Sequence, residues 1–126
     1  MALKHQKNSR NKTVGIFGEN AVVDFIQNRG FDIVDRNWRI KEGEIDIVAQ
    51  AQDGTFVFIE VKTRTSSAFG HPLESITSEK AHRLQRLALA WLATHQCLGR
   101  EYRIDCAAVF IGADGAFNVE YRANVL

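Results

Sequence analysis

Hydrophobic and polar positions follow two different periods along this chain, and these periods predict both helices and strands. In two stretches apolar residues recur every three or four positions, as on the buried face of a helix. Five shorter stretches are rich in β-branched and aromatic residues, as strands are. The pattern predicts, in chain order, a helix over residues 13–30, strands over 31–40, 45–51 and 56–61, a helix from Thr77 or Ser78 to about Leu98, and strands over 102–111 and 117–122.

The two central strands are joined at residues 52–55, where Asp53-Gly54 is a typical hairpin dipeptide. We therefore expect neighbouring antiparallel strands. Their apolar residues are nearly continuous rather than alternating, which indicates a sheet covered on both faces. Charged groups there are costly to desolvate unless they are paired or bind a metal. Three such residues nevertheless lie within or beside these apolar runs: Asp46, Glu60 and Lys62.

The first predicted helix carries an acid on its apolar side. At about 100° per residue, Glu19 falls among apolar residues such as Val22 and Ile26. Gly15 and Gly18 would let another backbone approach this helix closely. Glu19 is either a functional acid that faces the strands or an acid that favours the positive end of the helix dipole. The sequence leaves both interpretations open.

A long segment and a basic helix follow the central hairpin. Residues 63–76 are rich in Ser, Thr and Gly and contain the single proline, Pro72, which predicts a long loop beside the charged cluster. Lys80, Arg83 and Arg86 place positive charge in the first half of the second helix, against the preference of the helix dipole. This placement favours an anionic ligand, although a solvated basic face is the more common arrangement.

Composition indicates one globular domain. The chain has 126 residues, of which 45% are hydrophobic and 25% charged, as in an ordinary soluble protein. Without a membrane-span-length apolar run or a secretion signal, the protein is expected to be cytoplasmic. Residues 1–12 are basic and contain no acid, which predicts a flexible arm before a single domain over residues 13–126. Cys97 and Cys106 lack zinc-site spacing and are expected to be buried thiols.

Charge is unevenly distributed, although the net charge is only +1. Residues 42–76 contain two Lys or Arg and six acids, whereas residues 1–41 contain eight and four, and residues 77–126 contain six and five. An acidic centre between basic flanks suits a metal site that acts on a polyanion. Ordinary surface scatter is the simpler explanation of charge alone.

The central strands predict a metal site. Asp46 should lie opposite Glu60 or one position from it, and Glu60 and Lys62 should project from the same face. Two close carboxylates repel each other unless one takes up a proton or a divalent cation binds. Oxygen ligands without His or Cys favour Mg²⁺ or Mn²⁺. Lys62 would then orient a water molecule or stabilise the transition state, and Glu19 would complete the set.

Each of these residues also has a structural interpretation. In that alternative Glu60 and Lys62 form an ion pair at the end of a strand, and Asp46 accepts hydrogen bonds from backbone donors. We favour the metal site because three charges occupy matched positions on adjacent buried strands.

Asp46, followed fourteen residues later by Glu60-Val61-Lys62, resembles the D…(D/E)-x-K signature of the PD-(D/E)XK nuclease superfamily. More narrowly, the chain resembles the YraN-like family of small bacterial proteins, which is related to archaeal Holliday-junction resolvases. The proline of the superfamily's name is replaced here by Ile45. Three blocks carry the narrower resemblance, with weaker echoes at 80–88 and 103–105: GIFGE at 15–19, GEIDIVA at 43–49 and FIEVKTR at 58–64.

The resemblance implies an α/β fold with a restriction-endonuclease-like α-β-β-β-α-β core, in which helices flank a mixed central sheet. It also implies roles for the charged residues. Asp46 and Glu60 would hold the metal, and Lys62 would position the nucleophilic water. Glu19 matches the helix-borne acid of the resolvase-like branch.

We therefore expect a Mg²⁺- or Mn²⁺-dependent endonuclease that acts on DNA, with branched or structured DNA as substrate and repair or recombination as the process. Arg64, Lys80 and Arg83 are expected to contact phosphates without reading base sequence. A resolvase-like role favours a homodimer, since two strands must be cut symmetrically. Two alternatives are a non-catalytic nucleic-acid-binding module and an interaction protein in which these charges form ion pairs.

Overall fold

The computed structural model describes residues 2–65 and 77–126, with side chains from residue 12 onward. The order of elements confirms the predicted α-β-β-β-α-β core, to which one further strand is added. The predicted bounds of the last two strands agree with the structure residue for residue. The elements are α1 (Ala2–Gln27), β1 (Asp32–Ile40), β2 (Gly43–Gln50), β3 (Phe56–Arg64), α2 (Ser78–Thr94), β4 (Tyr102–Ile111) and β5 (Phe117–Arg122).

The five strands form one mixed sheet in the order β1-β2-β3-β4-β5. β3 and β4 are parallel and are connected through α2, whereas the other neighbouring strands are antiparallel. β2 and β3 form the predicted hairpin. In its turn, the Asp53 carboxylate accepts a hydrogen bond from the N–H of Thr55 at 2.9 Å, and Gly54 has a φ of 93°. β5 lies at an edge, as predicted.

One helix covers each face of the sheet, as the nearly continuous apolar runs predict. Burial of apolar surface on both faces stabilises the fold and holds the central hairpin between two layers. On one face α1 packs against the sheet through residues that include Val22, Ile26, Ile47, Val57 and Ile59. On the other, α2 packs through residues that include Leu84, Leu87, Trp91, Ile45, Val48 and Phe58.

The first helix is longer than predicted. It begins at Ala2 rather than at Thr13, because residues 2–12 contain neither Gly nor Pro and are rich in strong helix formers. The predicted C-terminal signal is confirmed: Gly30, with a φ of 87°, follows the last turn. Side chains up to residue 11 lie outside those described, so the role of residues 1–12 as a basic arm stays a prediction.

The second helix begins as predicted and ends earlier. Thr77 is its N-cap, and the side-chain oxygen of Thr77 accepts a hydrogen bond from the N–H of Lys80 at 3.2 Å. The helix ends at Thr94 rather than near Leu98, because the chain turns at Gln96, which has a φ of 55°. No Gly or Pro marks this earlier end in the sequence.

Two other expectations meet the structure in part. β3 continues to Arg64, so the first two residues of the predicted loop over 63–76 belong to the strand; residues 66–76 lie outside the described part of the chain. Both cysteines are free, with Cys106 buried and Cys97 partly buried. Among the helices described, none is long and apolar enough to cross a membrane.

Candidate active site at the end of the central hairpin

Asp46 lies where the central hairpin stops pairing. The backbone register of β2 and β3 ends at the pair Ile47–Ile59, and Asp46 is the next residue of β2. Its Oδ2 atom accepts a hydrogen bond from the backbone N–H of Val61 at 2.8 Å. The carboxylate is therefore beside the backbone of β3, and continuation of the same register would set Asp46 opposite Glu60, as predicted.

The alternation of β2 is interrupted at Asp46. Ile47 packs in the apolar cluster with α1, whereas Ile45, two residues earlier, packs in the cluster with α2. Residues two apart share a face in a regular strand, so β2 is irregular at this point. The regular alternation of side chains along a strand therefore does not predict that the Asp46 side chain contacts the backbone of Val61 on β3.

Glu60 and Lys62 form an ion pair beside Asp46. The Nζ atom of Lys62 lies 3.1 Å from Oε1 of Glu60, and the two side chains are 26% and 18% exposed. This is the contact that the structural interpretation of the sequence expects. The same contact also holds an amine close to the acids. Among the described residues, no cationic side chain forms an ion pair with Asp46 itself.

The electrostatic surroundings of Asp46 are unfavourable to its charge. The pKa of Asp46 is raised from 3.8 to about 7, chiefly by burial, and the hydrogen bond from Val61 opposes this rise only in part. The negative charges of Glu60, Glu19 and Glu44 contribute to the rise. The structure thus brings together the acids predicted from both strands and from the first helix.

Glu19 reaches this cluster from α1. Gly18 permits the close approach, because a side chain on Gly18 would collide with the side chain of Thr63 on β3. Burial raises the pKa of Glu19, while a hydrogen bond from Asn37 and the charge of Arg36 lower it. Asn37 lies within β1 but has a φ of 53°, so this irregularity of the strand supplies a partner for Glu19.

A cleft of about 380 Å³ opens between α1 and the end of β3. No atom lies within 4 Å of the point where a side chain on Gly15 would begin, so Gly15 faces open space. The close backbone approach predicted at Gly15 is therefore wrong, and at Gly18 the group that comes close is the side chain of Thr63 rather than a backbone. The cleft is lined by Val14, Gly15, Glu19, Val61, Lys62, Thr63 and Arg64.

The three residues predicted to contact phosphates lie in different places. Arg64 is exposed and lines the cleft beside Glu19. Arg83 instead lines a separate groove on α2, together with Arg86, and Lys80 lies half-buried in the first turn of α2. Their contacts with DNA stay predictions.

Glu44 is a further acid of the site, beyond those predicted from the sequence. Its charge raises the pKa of Asp46 and of Glu19. The Glu44 carboxylate itself pairs with Arg39, at 2.9 Å from Nη2. The available signal in the sequence was its position two residues before Asp46, on the same strand.

The donor set fits a hard divalent cation. Over residues 12–65 and 77–126, no three His, Cys, Asp or Glu side chains converge closely enough to hold a metal ion on their own. Mg²⁺ is ordinarily bound by one or two carboxylates, with water and substrate oxygens as its other ligands. Asp46 and Glu60 provide such a pair. Burial and neighbouring acids disfavour the charged form of Asp46, and a bound cation would stabilise that form.

Comparison with known proteins identifies the family. The model of an uncharacterised protein family, UPF0102, matches residues 18–109. This chain belongs to that family. The matched range contains all four predicted catalytic residues, and the UPF0102 assignment confirms the resemblance to the YraN-like proteins.

Curated UPF0102 proteins match this chain over nearly their whole length. The UPF0102 protein of Beutenbergia cavernae is 48% identical over 113 residues, which cover 89% of this chain and 94% of the relative. That of Dictyoglomus turgidum is 37% identical over 115 residues, which cover 90% and 97%. UPF0102 proteins therefore occur in several bacteria and share between 37% and 48% identity with this chain in these two cases. The description of the family names no activity.

Two solved structures are similar at a low level. SfsA of Pyrococcus furiosus in complex with Ca²⁺ aligns with a TM-score of 0.40 and 15% identity, over 90% of this chain and 63% of that one. The EndoMS–dsDNA2 complex aligns with a TM-score of 0.35 and 16% identity, over 68% and 30%. Similarities this low bear on no residue of the UPF0102 site.

Proposed function

We propose that this protein is a Mg²⁺- or Mn²⁺-dependent endonuclease that hydrolyses phosphodiester bonds in DNA. The observation that carries the proposal is the arrangement of Asp46, Glu60 and Lys62 where β2 and β3 stop pairing. Two half-buried carboxylates lie there with one amine beside them. A carboxylate among other acids, with a single hydrogen-bond donor, is destabilising unless a cation or a proton neutralises it.

Asp46 and Glu60 would hold the metal, which supplies Lewis-acid activation of the phosphate and of water. The amine of Lys62, held 3.1 Å from Glu60, would orient the attacking water or stabilise the negative charge that develops on the phosphate oxygens. Glu19 lines the same cleft and would order water beside the metal ligands. Lys62 and Glu19 line the cleft, Glu60 contacts Lys62, and Asp46 contacts the backbone of Val61.

DNA is the proposed substrate because Arg64 is exposed on the lining of the acid-bearing cleft. Its guanidinium would contact a phosphate next to the one that is cleaved, and Lys80 and Arg83 would contact phosphates farther along. Such contacts position a substrate without reading its sequence. Branched or structured DNA, a role in repair or recombination in the cytoplasm, and a symmetric homodimer follow from the resemblance to resolvases and are part of the proposal.

The test is cleavage of plasmid and of labelled junction DNA by the wild type and by Lys62→Ala, with Mg²⁺ or Mn²⁺. We expect cleavage to require the metal and to fall about a hundredfold to a thousandfold in Lys62→Ala, as when one transition-state donor is removed. DNA binding should persist. Arg100→Ala, at the opposite end of the sheet, removes one charge and is the matched control. Metal-independent cleavage, or equal rates in Lys62→Ala and the control, would contradict the proposal.

A second candidate is a non-catalytic nucleic-acid-binding module. The Glu60–Lys62 ion pair favours it, since such a pair satisfies both charges without a metal. In that case the wild type binds DNA but cleaves none with either metal, and Lys62→Ala changes binding alone. The same two measurements therefore separate the two candidates.

A further inference from the structure

A second groove lies between α2 and the turn that joins β1 to β2. It encloses about 400 Å³, and we call it the arginine groove. The base of the groove is closely packed. Leu87 is buried there, and a Cβ atom added to Gly43 would lie only 3.1 Å from Cδ1 of Leu87. The groove is lined by Ile40, Glu42, Arg83, Arg86, Leu87 and Ala90.

The two arginines of this groove have no partner in the described part of the chain. Arg83 and Arg86 are exposed, and neither forms an ion pair or a side-chain hydrogen bond there. They are three residues apart on one helix, a spacing at which side chains are neighbours. Of the described residues that line the groove, Glu42 is the one acid, so these lining residues together carry one net positive charge.

The arginine groove and the acid-bearing cleft open at the same end of the sheet. Ile40 pairs with Gly43 at the start of β2. Beyond the last β2–β3 pair, Ile47–Ile59, β2 leads back to Gly43, and β3 leads on to Thr63, which lines the cleft. Where all three strands are paired, β1 and β3 are two strand spacings apart, or about 10 Å. The cleft lies under α1 and the groove under α2, so the two flank this end of the sheet from opposite faces.

We infer that the arginine groove binds a phosphodiester of the DNA strand opposite the one that enters the cleft, so that the substrate is double-stranded across this end of the sheet. The inference rests on the proposed nuclease function. Guanidinium groups match the oxygens of a phosphate in pairs, which favours Arg over Lys at such sites. The apolar floor formed by Ile40, Leu87 and Ala90 suits the carbon face of a deoxyribose better than it suits a free inorganic anion.

The test is the salt dependence of DNA binding by the full-length protein without metal, measured by anisotropy between about 50 and 200 mM KCl. The probe is a short labelled duplex, and a single strand of the same sequence is the second probe. For the duplex, Arg86→Gln should lower the slope of log K against log salt by about one, because one phosphate contact is lost. Arg83→Gln should act in the same way. For the single strand, neither variant should change the slope.

Arg100→Gln is the matched control, since it removes the same charge at the hairpin end of the sheet, where its guanidinium lies 5.2 Å from the ring of Phe56. If the duplex slopes were equal for Arg86→Gln, Arg83→Gln and Arg100→Gln, the arginine groove would not be a DNA-binding site. That result would leave the nuclease proposal intact. Equal effects on both probes would overturn the assignment to the second strand. Failure of the wild type to bind DNA at any salt concentration would instead remove the proposed function.

Discussion

Asp46 and Asp105 are two aspartates set into the same sheet, on β2 and β4, and their partners differ in kind. Asp105 is fully buried. Its carboxylate accepts hydrogen bonds from Nε of Arg103 at 3.1 and 3.3 Å, from the hydroxyl of Tyr121, and from the N–H of Asn124 at 2.8 Å. Three donors, one of them a cation, therefore compensate the desolvation of this carboxylate.

Within the described part of the chain, Asp46 has one hydrogen-bond donor and three acidic neighbours. The N–H of Val61 is the donor, and Glu60, Glu19 and Glu44 raise the pKa of Asp46 in addition to the larger effect of burial. Asp105 is the more buried of the two, yet Asp46 is the one whose charge lacks compensation. The comparison teaches that burial of a carboxylate does not by itself indicate a functional site; the number and charge of its partners do.

The Asp105 network anchors the end of the chain. Tyr121 belongs to β5, and Asn124 follows it, so the carboxylate ties β4 to both. Burial raises the pKa of Tyr121 well above its ordinary value, and the charge of Asp105 adds to this effect. The hydroxyl consequently stays protonated and remains a donor to Asp105 at ordinary pH.

The largest predicted effect is on stability at Asp105. Asp105→Ala should lower the free energy of unfolding by about 3–5 kcal/mol, because Arg103 and the Tyr121 hydroxyl lose their buried partner. Urea denaturation followed by circular dichroism measures this change. Asp24→Ala, at an exposed position of α1, is the control and should change stability little. If Asp105→Ala lost no more stability than Asp24→Ala, Asp105 would not be a structural partner, and its contrast with Asp46 would not hold.

At Asp46 the expected effect is smaller and opposite in sign. Asp46→Asn should raise the free energy of unfolding by about 1–3 kcal/mol at pH 8 in EDTA, a range reduced from the full pKa shift because the site is partly solvated. The amide keeps an oxygen for the N–H of Val61 and removes the repulsion from Glu60, Glu19 and Glu44. Urea denaturation again gives the measurement. Destabilisation of this variant would mean that Asp46 is a structural partner.

The pH dependence sharpens the same difference. The pKa of Asp46 is about 7 in the folded protein against an ordinary 3.8, so between these values the folded state binds more protons than the unfolded state. The stability contributed by the protonated carboxyl is fully present below pH 3.8 and is lost as the pH rises through about 7. The advantage of Asp46→Asn should therefore be near zero at pH 4 and reach its full size above pH 7. A constant difference from pH 4 to 8 would contradict this account.

Much of the fold can be predicted from the sequence because local signals agree with tertiary packing. Asp53-Gly54 marks the hairpin, Thr77 marks the start of α2, and the apolar runs of β2 and β3 indicate cover on both faces. Local signals fail at two helix ends. Between Leu3 and Thr13 no apolar residue continues the helical pattern, and no Gly or Pro marks the turn at Gln96.

The site is predictable in composition and less so in geometry. Asp46, Glu60, Lys62 and Glu19 stand out because charge is unusual within buried apolar patterns. The hydrogen bond from Val61 to Asp46 depends on the irregularity of β2 at Asp46. The alternation of apolar and polar residues in the sequence does not predict this irregularity. The network of Asp105 depends likewise on residues that a distant strand and the chain end bring to it, and a single acid in the sequence of β4 does not reveal them.

The most direct test of the central claim is a calorimetric titration of wild type and Asp46→Ala with Mn²⁺. The account predicts that the wild type binds the metal and that Asp46→Ala binds it more than about tenfold more weakly, since it lacks one of the two carboxylate ligands. Both proteins should show the same circular dichroism spectrum. Equal Mn²⁺ affinity in the two would show that Asp46 is not a metal ligand and would contradict the proposed active site.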